Sequence, residues 1–304
     1  MKVASRELAQ PHATGVGLVR ARARTRPPRP GTVLQYCILV VLLFLSFVPI
    51  VLMVSMSLRS STLIYVNFWD PPWPIYTQNY SNALLNLLLP LARTLFVYAV
   101  SVIGILAFSL LAAYAFARFR FPAQGLLFYL VLLVMMIPGT ILLVPHFIQA
   151  NQFGLRDSLW GLAVFYVAGG QPFAIFLLRS FFLSQPAEMF EAARIDGASE
   201  LRALRSIAIP LAWPIIMTLA IMNFLAIYND LIWPKLMLTT RQNWTLIVAL
   251  QVYNPGGGAD LVSALPDIGG QAAGFVFASI PLAIVFLLGM RYFVQGLTSG
   301  AVKA

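Results

Sequence analysis

The charges of this chain are separated by long apolar intervals. Uncharged or nearly uncharged runs lie between Arg29 and Arg59, Arg93 and Arg118, Arg120 and Arg156, Asp157 and Arg179, Arg205 and Asp230, and Asp267 and Arg291. A helix of about 20 apolar residues crosses roughly 30 Å of hydrocarbon, and each run can hold one. The pattern predicts six transmembrane helices, at Val33–Ser57, Leu95–Ala117, Leu126–Ile148, Leu159–Leu178, Ile209–Ile232 and Ala273–Phe293. Two other uncharged stretches are read differently. Pro71–Ala92 carries four prolines and several asparagines, Trp244–Tyr253 is too short to cross, and both read as external loop or interfacial helix.

Composition sharpens this into a class. Hydrophobic residues make up 60% of the chain and charged residues 10%, against about 25% charged in a soluble domain. The expected fold is an all-α polytopic membrane protein. Its organisation reads as a basic tail over 1–32 without apolar periodicity, expected to be poorly ordered, then a first span and external loop over 33–86. A transmembrane core over 87–293 contains a polar loop at 184–209, and a tail follows over 294–304. Fifteen of the 20 basic residues fall on one side of this arrangement, in the N-terminal tail, the Arg118–Pro122 turn, the 179–205 segment and the C-terminus. By the positive-inside rule that side, with both termini, is cytoplasmic. The same topology accounts for the net charge of +10 without nucleic acid as a partner. The apolar run after Arg29 exceeds the h-region of a cleaved signal peptide, about 7–15 residues, so it reads as a retained first span. Cys37 stands alone within it and can form no internal disulfide.

The polar segment between the fourth and fifth spans carries the most information. Pro186 suits a first helical turn, with Glu188 and Glu191 near the positive end of the helix dipole. Ala192 and Ala193 let a partner approach closely, and Gly197 can take the left-handed conformation that ends a helix. Ser199 is then an N-cap for a second helix carrying Arg202 and Arg205, running to Pro210. A helix–turn–helix results, with Glu188, Glu191, Asp196 and Glu200 as its acidic groups. An amphipathic hairpin lying on lipid headgroups satisfies the same charges.

The spacing Glu191-Ala192-Ala193, then Gly197, then Ile207-x-Ile209-Pro210 resembles the EAA loop of membrane subunits of binding-protein-dependent ABC importers, with Ile209 where leucine is usual. The likeness covers about Leu84 to Ala304 and falls nearest the carbohydrate-uptake branch, that of the maltose permeases. Tyr228-Asn229-Asp230 with Pro234, Trp244-Thr245-Leu246, and Arg291 to Lys303 also carry it, while the Tyr253–Gly270 insertion is longer than expected. The resemblance implies a type I ABC importer permease fold in a prokaryotic inner membrane, importing a sugar or oligosaccharide. It implies as partners a second, similar permease, an ATPase dimer and an external sugar-binding protein. In it Glu191, Ala192, Ala193, Asp196 and Gly197 form the coupling contact with the ATPase, and Gln295 and Gly296 of the C-terminal tail reach toward the ATPase pair. Glycerol-phosphate or a polyamine is the alternative cargo. The sequence agrees on one point independently. Lys2, Lys235 and Lys303 all lack the flanking residues of a Gly-Lys-Ser/Thr phosphate loop, so this chain cannot bind ATP by that motif, and if ATP drives it, a separate subunit must supply the ATP and magnesium site.

Polar groups inside a span suggest function by default. Asn223, Tyr228, Asn229 and Asp230 line the outer half of the fifth span and are candidates for the transport path, with helix capping by Asn229 and Asp230 as the alternative. His146 reads as a packing residue rather than a proton relay. No His/Cys/carboxylate cluster suggests a metal, and no nucleophile–base pair suggests catalysis. An ion-coupled secondary transporter is the less favoured class, since neither inverted repeats nor midplane charges are evident.

Overall fold

The computed structural model describes residues 30–256 and 265–301, with side chains up to residue 290; the basic tail up to Arg29 lies outside the described residues. The described residues are helical, without strands. The chain divides at Pro49 into two units. The first contains most of α1 (Pro30–Ser57), whose apolar side chains from Leu34 to Phe47 are exposed.

In the second unit α2 (Ser61–Val66) precedes the 41-residue α3 (Gln78–Arg118). Pro71–Ala92, read as external loop or interfacial helix, is helix from Gln78 onward and continuous with the span that follows, so the 86/87 boundary falls inside α3. The reason is a buried stripe, Asn79, Ala83, Leu87, Pro90, Thr94, Val97 and Ser101, which continues at helical spacing straight through Pro90. Asn79 is fixed at the start of the stripe by donating to the carbonyls of Ser57 and Arg59, 2.9 and 2.8 Å away.

The expected third span is broken. Helix α4 (Gln124–Met136) stops where Pro138 forces Ile137 into an extended conformation, and α5 (Leu143–Gln152) restarts beyond it. Helix α6 (Leu159–Ser184) begins on an N-cap, with the Gly161 N–H donating to the Ser158 hydroxyl at 3.3 Å. It packs parallel to α3. Gly104 lies against Val167, Gly170 against Ile105, and Arg118 against Phe182 at nearly constant offset along both helices.

After the hairpin described below, α10 (Trp213–Tyr228) and α11 (Ile232–Met237) lead to the short α12 (Leu246–Gln251) and to α13 (Ile268–Ala301). Asp157, at the entry to α6, ties down the loop after α11. Its carboxylate accepts from the Thr239 and Thr240 N–H groups at 3.0 Å and from the Thr240 hydroxyl. Burial works to raise its pKa, but these bonds outweigh it and hold the carboxyl below its ordinary range. Four described helices are long and apolar enough to cross a membrane, or five if a bent pair counts as one span. The chain is a multi-pass membrane protein.

Candidate functional site

The segment after α6 folds as helix, turn, helix. Pro186 sits just before α7 (Ala187–Ile195), with Glu188 in its first turn and Arg194 in its last, each complementing the helix dipole. The helix closes in a paired C-terminal motif: Gly197 N–H donates to Arg194 O at 3.0 Å and Ala198 N–H to Ala193 O at 2.9 Å. That geometry needs the left-handed φ of +79° found at Gly197. Ser199 then caps α8 (Glu200–Ala203), its hydroxyl accepting from Arg202 N–H at 3.4 Å.

The second helix ends in an irregularity with a local cause. Leu204–Ala208 widens into a π turn, with Ile209 N–H donating to Leu204 O. Pro210 follows at once in α9 (Ile209–Leu211), and the extra residue in the turn relieves the clash of its ring with the carbonyl four residues back. Glu200–Leu211 meets α10 at 74°.

One side of this hairpin is anchored. Phe190 is 3% exposed, packed against the Tyr114 ring with the Arg118 guanidinium 3.8 Å from its own centroid. Arg118 also donates to the carbonyls of Phe182 and Gln185, at 2.8 and 3.2 Å, capping the end of α6. Tyr114 donates its hydroxyl proton to Glu200 Oε2 at 2.9 Å, and Arg194 Nε lies 2.7 Å from Glu200 Oε1. The Arg194 bond, with help from Tyr114, holds the Glu200 carboxyl below its usual range, and the same pairing raises Arg194. The carboxylate thus joins the first helix of the hairpin to α3.

The other side is free. Glu191, Ala192, Asp196 and Gly197 are exposed, Ala193 is half-buried, and the apolar Ile195 and Leu201 stand out at 87% and 66% exposure. Four of the five residues expected to form a coupling contact are therefore exposed, Glu191 at the rim of a cavity toward α3 and α6. Sequence reasoning missed the anchors Tyr114, Arg118 and Phe190; the one available signal was a large aromatic in an otherwise small and polar helix. Gln295 and Gly296 fall in the last turns of α13, and their side chains lie outside the described residues.

The four transport-path candidates do not come together. Tyr228 is 1% exposed, its hydroxyl donating to Ala278 O at 2.7 Å inside the core. The amides of Asn223 and Asn229 each donate to the carbonyl four residues back, Leu219 and Leu225, at 2.8 Å. Asp230 lines a cavity of about 510 Å³ between α4, α5, α6 and α11. Its Oδ2 accepts from the Tyr166 hydroxyl at 2.8 Å, and its Oδ1 from the N–H groups of Ile232 and Trp233 at 3.1 and 3.3 Å. Oδ1 thus caps the start of α11 rather than the end of the fifth span. His146, also on the cavity wall, packs 5.3 Å from Phe165 and 6.0 Å from Trp233, centroid to centroid.

Comparison with known proteins gives this geometry a context. The chain is 29% identical to the diacetylchitobiose uptake system permease protein NgcG of Streptomyces coelicolor over 93% of each chain. It is 31% identical to the maltodextrin transport system permease protein MdxG of Bacillus subtilis, covering 75% of this chain and 76% of the relative. With the maltose/maltodextrin transport system permease protein MalG of Escherichia coli it shares 32% identity over 77% and 74%. A bacterial ABC transporter that imports the acidic polysaccharide alginate contains a chain of similar structure, with TM-score 0.76, 25% identity and coverage of 88% of this chain and 100% of that one. These relatives are transport components rather than enzymes. Residues 104–299 match the family described as binding-protein-dependent transport system inner membrane component, and the chain belongs to that family.

Proposed function

We propose that this chain is one permease subunit of an ATP-driven importer and that the outward face of α7 is its coupling contact. The observation that carries the reading is the two-sidedness of the hairpin: Phe190 and Glu200 anchor it to α3, while Glu191, Ala192, Asp196 and Gly197 are left exposed. A partner that grips the exposed face moves α3 and α6 with it. The partner is an ATPase dimer holding ATP and magnesium, since this chain has no phosphate loop. A second permease completes the pore, and an external binding protein delivers the cargo.

Six spans fit this reading: α1, α3, α4 with α5, α6, the bent pair through α10, and α13. The basic end with both termini then faces the cytoplasm. The cargo class is a sugar or oligosaccharide, as the names of the relatives suggest, and the cavity bearing Asp230 is the candidate for the transport path.

Purification from the native membrane tests the assembly: an ATPase and a second permease are expected to accompany the chain. Recovery of a lone homodimer, with uptake that follows an ion gradient instead of ATP, sinks the proposal. Gly197→Val and Glu191→Lys are expected to abolish uptake across a panel of labelled oligosaccharides while membrane insertion stays normal. Unchanged uptake in both removes the coupling assignment.

A further inference from the structure

Beside the hairpin lies a cavity of about 390 Å³, walled by the end of α3, the start of α4, α6 and α7. Four guanidiniums line it, those of Arg118, Arg120, Arg179 and Arg194, against the single carboxylate of Glu191. Most of their donors are unused within the described residues. Arg179 donates Nε to Phe116 O at 3.4 Å while its guanidinium lies 3.9 Å from the Phe128 ring centroid. Arg194 engages Glu200 through Nε. Arg118 caps α6 through a terminal nitrogen, and its Nε is buried without an acceptor. Arg120 has no hydrogen-bond or ion-pair partner among the described residues.

A guanidinium offers five N–H groups in a planar fork, and phosphate oxygens match that fork. With Arg194 already paired to Glu200, the other three guanidiniums still outnumber the one carboxylate on the cavity wall, and an anion with several acceptor oxygens would balance that excess. The rim identifies the source. Leu183 and Phe119, both lining the cavity, are 51% and 39% exposed, and Leu126 and Leu127 on the first turn of α4 are 63% and 44% exposed. A cavity lined by charged groups at the ends of α3 and α6, with exposed apolar side chains on its wall, suits a ligand with an anionic head and apolar chains. We propose that this cavity binds the phosphate of an anionic phospholipid, with the acyl chains lying along Leu126, Leu127 and Leu183, so that a lipid joins α4, α6 and the hairpin. The proposal rests on the membrane reading alone and stands whether or not the hairpin couples to an ATPase.

The test is native mass spectrometry of the chain, with whatever subunits accompany it, released from nanodiscs of equal parts phosphatidylglycerol and phosphatidylcholine. The expected result is preferential retention of phosphatidylglycerol, reduced about fivefold by Arg120→Gln and further by Arg120→Gln with Arg179→Gln. Arg179→Lys, which keeps the charge, is expected to retain the lipid. Arg120 is exposed and lies in the turn between α3 and α4, so its variant is expected to read binding rather than stability. Equal retention of the two lipids by the unaltered chain, or retention unchanged by Arg120→Gln, overturns the proposal. A third arm adds excess inorganic phosphate: persistence of the lipid supports the headgroup as the source, and displacement assigns the cavity to a soluble phosphate ligand and overturns it.

Discussion

Phe190 and Glu200 hold the hairpin by different physics. Phe190 is a buried ring, and Phe190→Ala removes its transfer free energy and leaves a cavity, a cost of about 3–5 kcal/mol. The hairpin, not the bundle, should then loosen, seen as faster proteolysis between Glu188 and Arg205 at unchanged protein levels. Glu200 works through charge, and its side chain is 37% exposed, which screens the Arg194 pair and leaves it worth little by itself. Its tether depends on the carboxylate being ionised. Because the folded pKa is depressed, the contribution is fully present above the ordinary glutamate value and is lost only as the pH falls through the lower folded value. A spin label at Ile195→Cys, with Cys37 replaced, should therefore show constant mobility between about pH 6 and 8 and rise only in acid. Mobility that changes near neutrality removes Glu200 as the tether. At this scale Gly197 and Ser199 were legible from sequence, because a left-handed residue and a cap are local requirements. Tyr114 was not, since its partner lies 86 residues away.

At the scale of elements, parallel packing of α3 on α6 depends on small residues at the contact. A Cβ at Gly104 would come within 2.6 Å of Val167 Cγ2, closer than side chains pack. Gly104→Ala is expected to lower stability by about 1–3 kcal/mol and Val167→Ala to restore much of it, read as the thermal midpoint of the solubilised complex. Additive losses in the double variant refute the contact. Breaks in the helices were partly legible, since proline explains both the end of α4 at Pro138 and the π turn before Pro210. The outward extension of α3 was not. Four prolines between Pro71 and Ala92 argued for an external loop or interfacial helix, yet the stripe from Asn79 to Ser101 buries a continuous face, and tertiary burial outweighs the single lost donor of Pro90.

For the whole molecule, orientation remains a prediction with a direct test. Single cysteines at Ala198 and Gln242, in a chain lacking Cys37, should react with an impermeant maleimide from opposite sides of the membrane, Gln242→Cys in intact cells and Ala198→Cys only in inverted vesicles. Labelling of both from one side contradicts the proposed topology. The sequence by itself determined the class of the protein, the presence of several apolar spanning helices and its glycine-turned hairpin. Each is written in nearest-neighbour chemistry: run length against membrane thickness, proline's missing donor, glycine's positive φ. Only the tertiary structure decided which distant side chains share a surface. It turned Tyr228 into the core and Asp230 toward Tyr166, 64 residues away, and gathered four arginines from three helices and a turn around one cavity. Successive residues on a helix point about 100° apart, so side-chain direction depends on the rotation and register of each helix against its neighbours. Those are fixed by packing between elements, which local pattern does not encode.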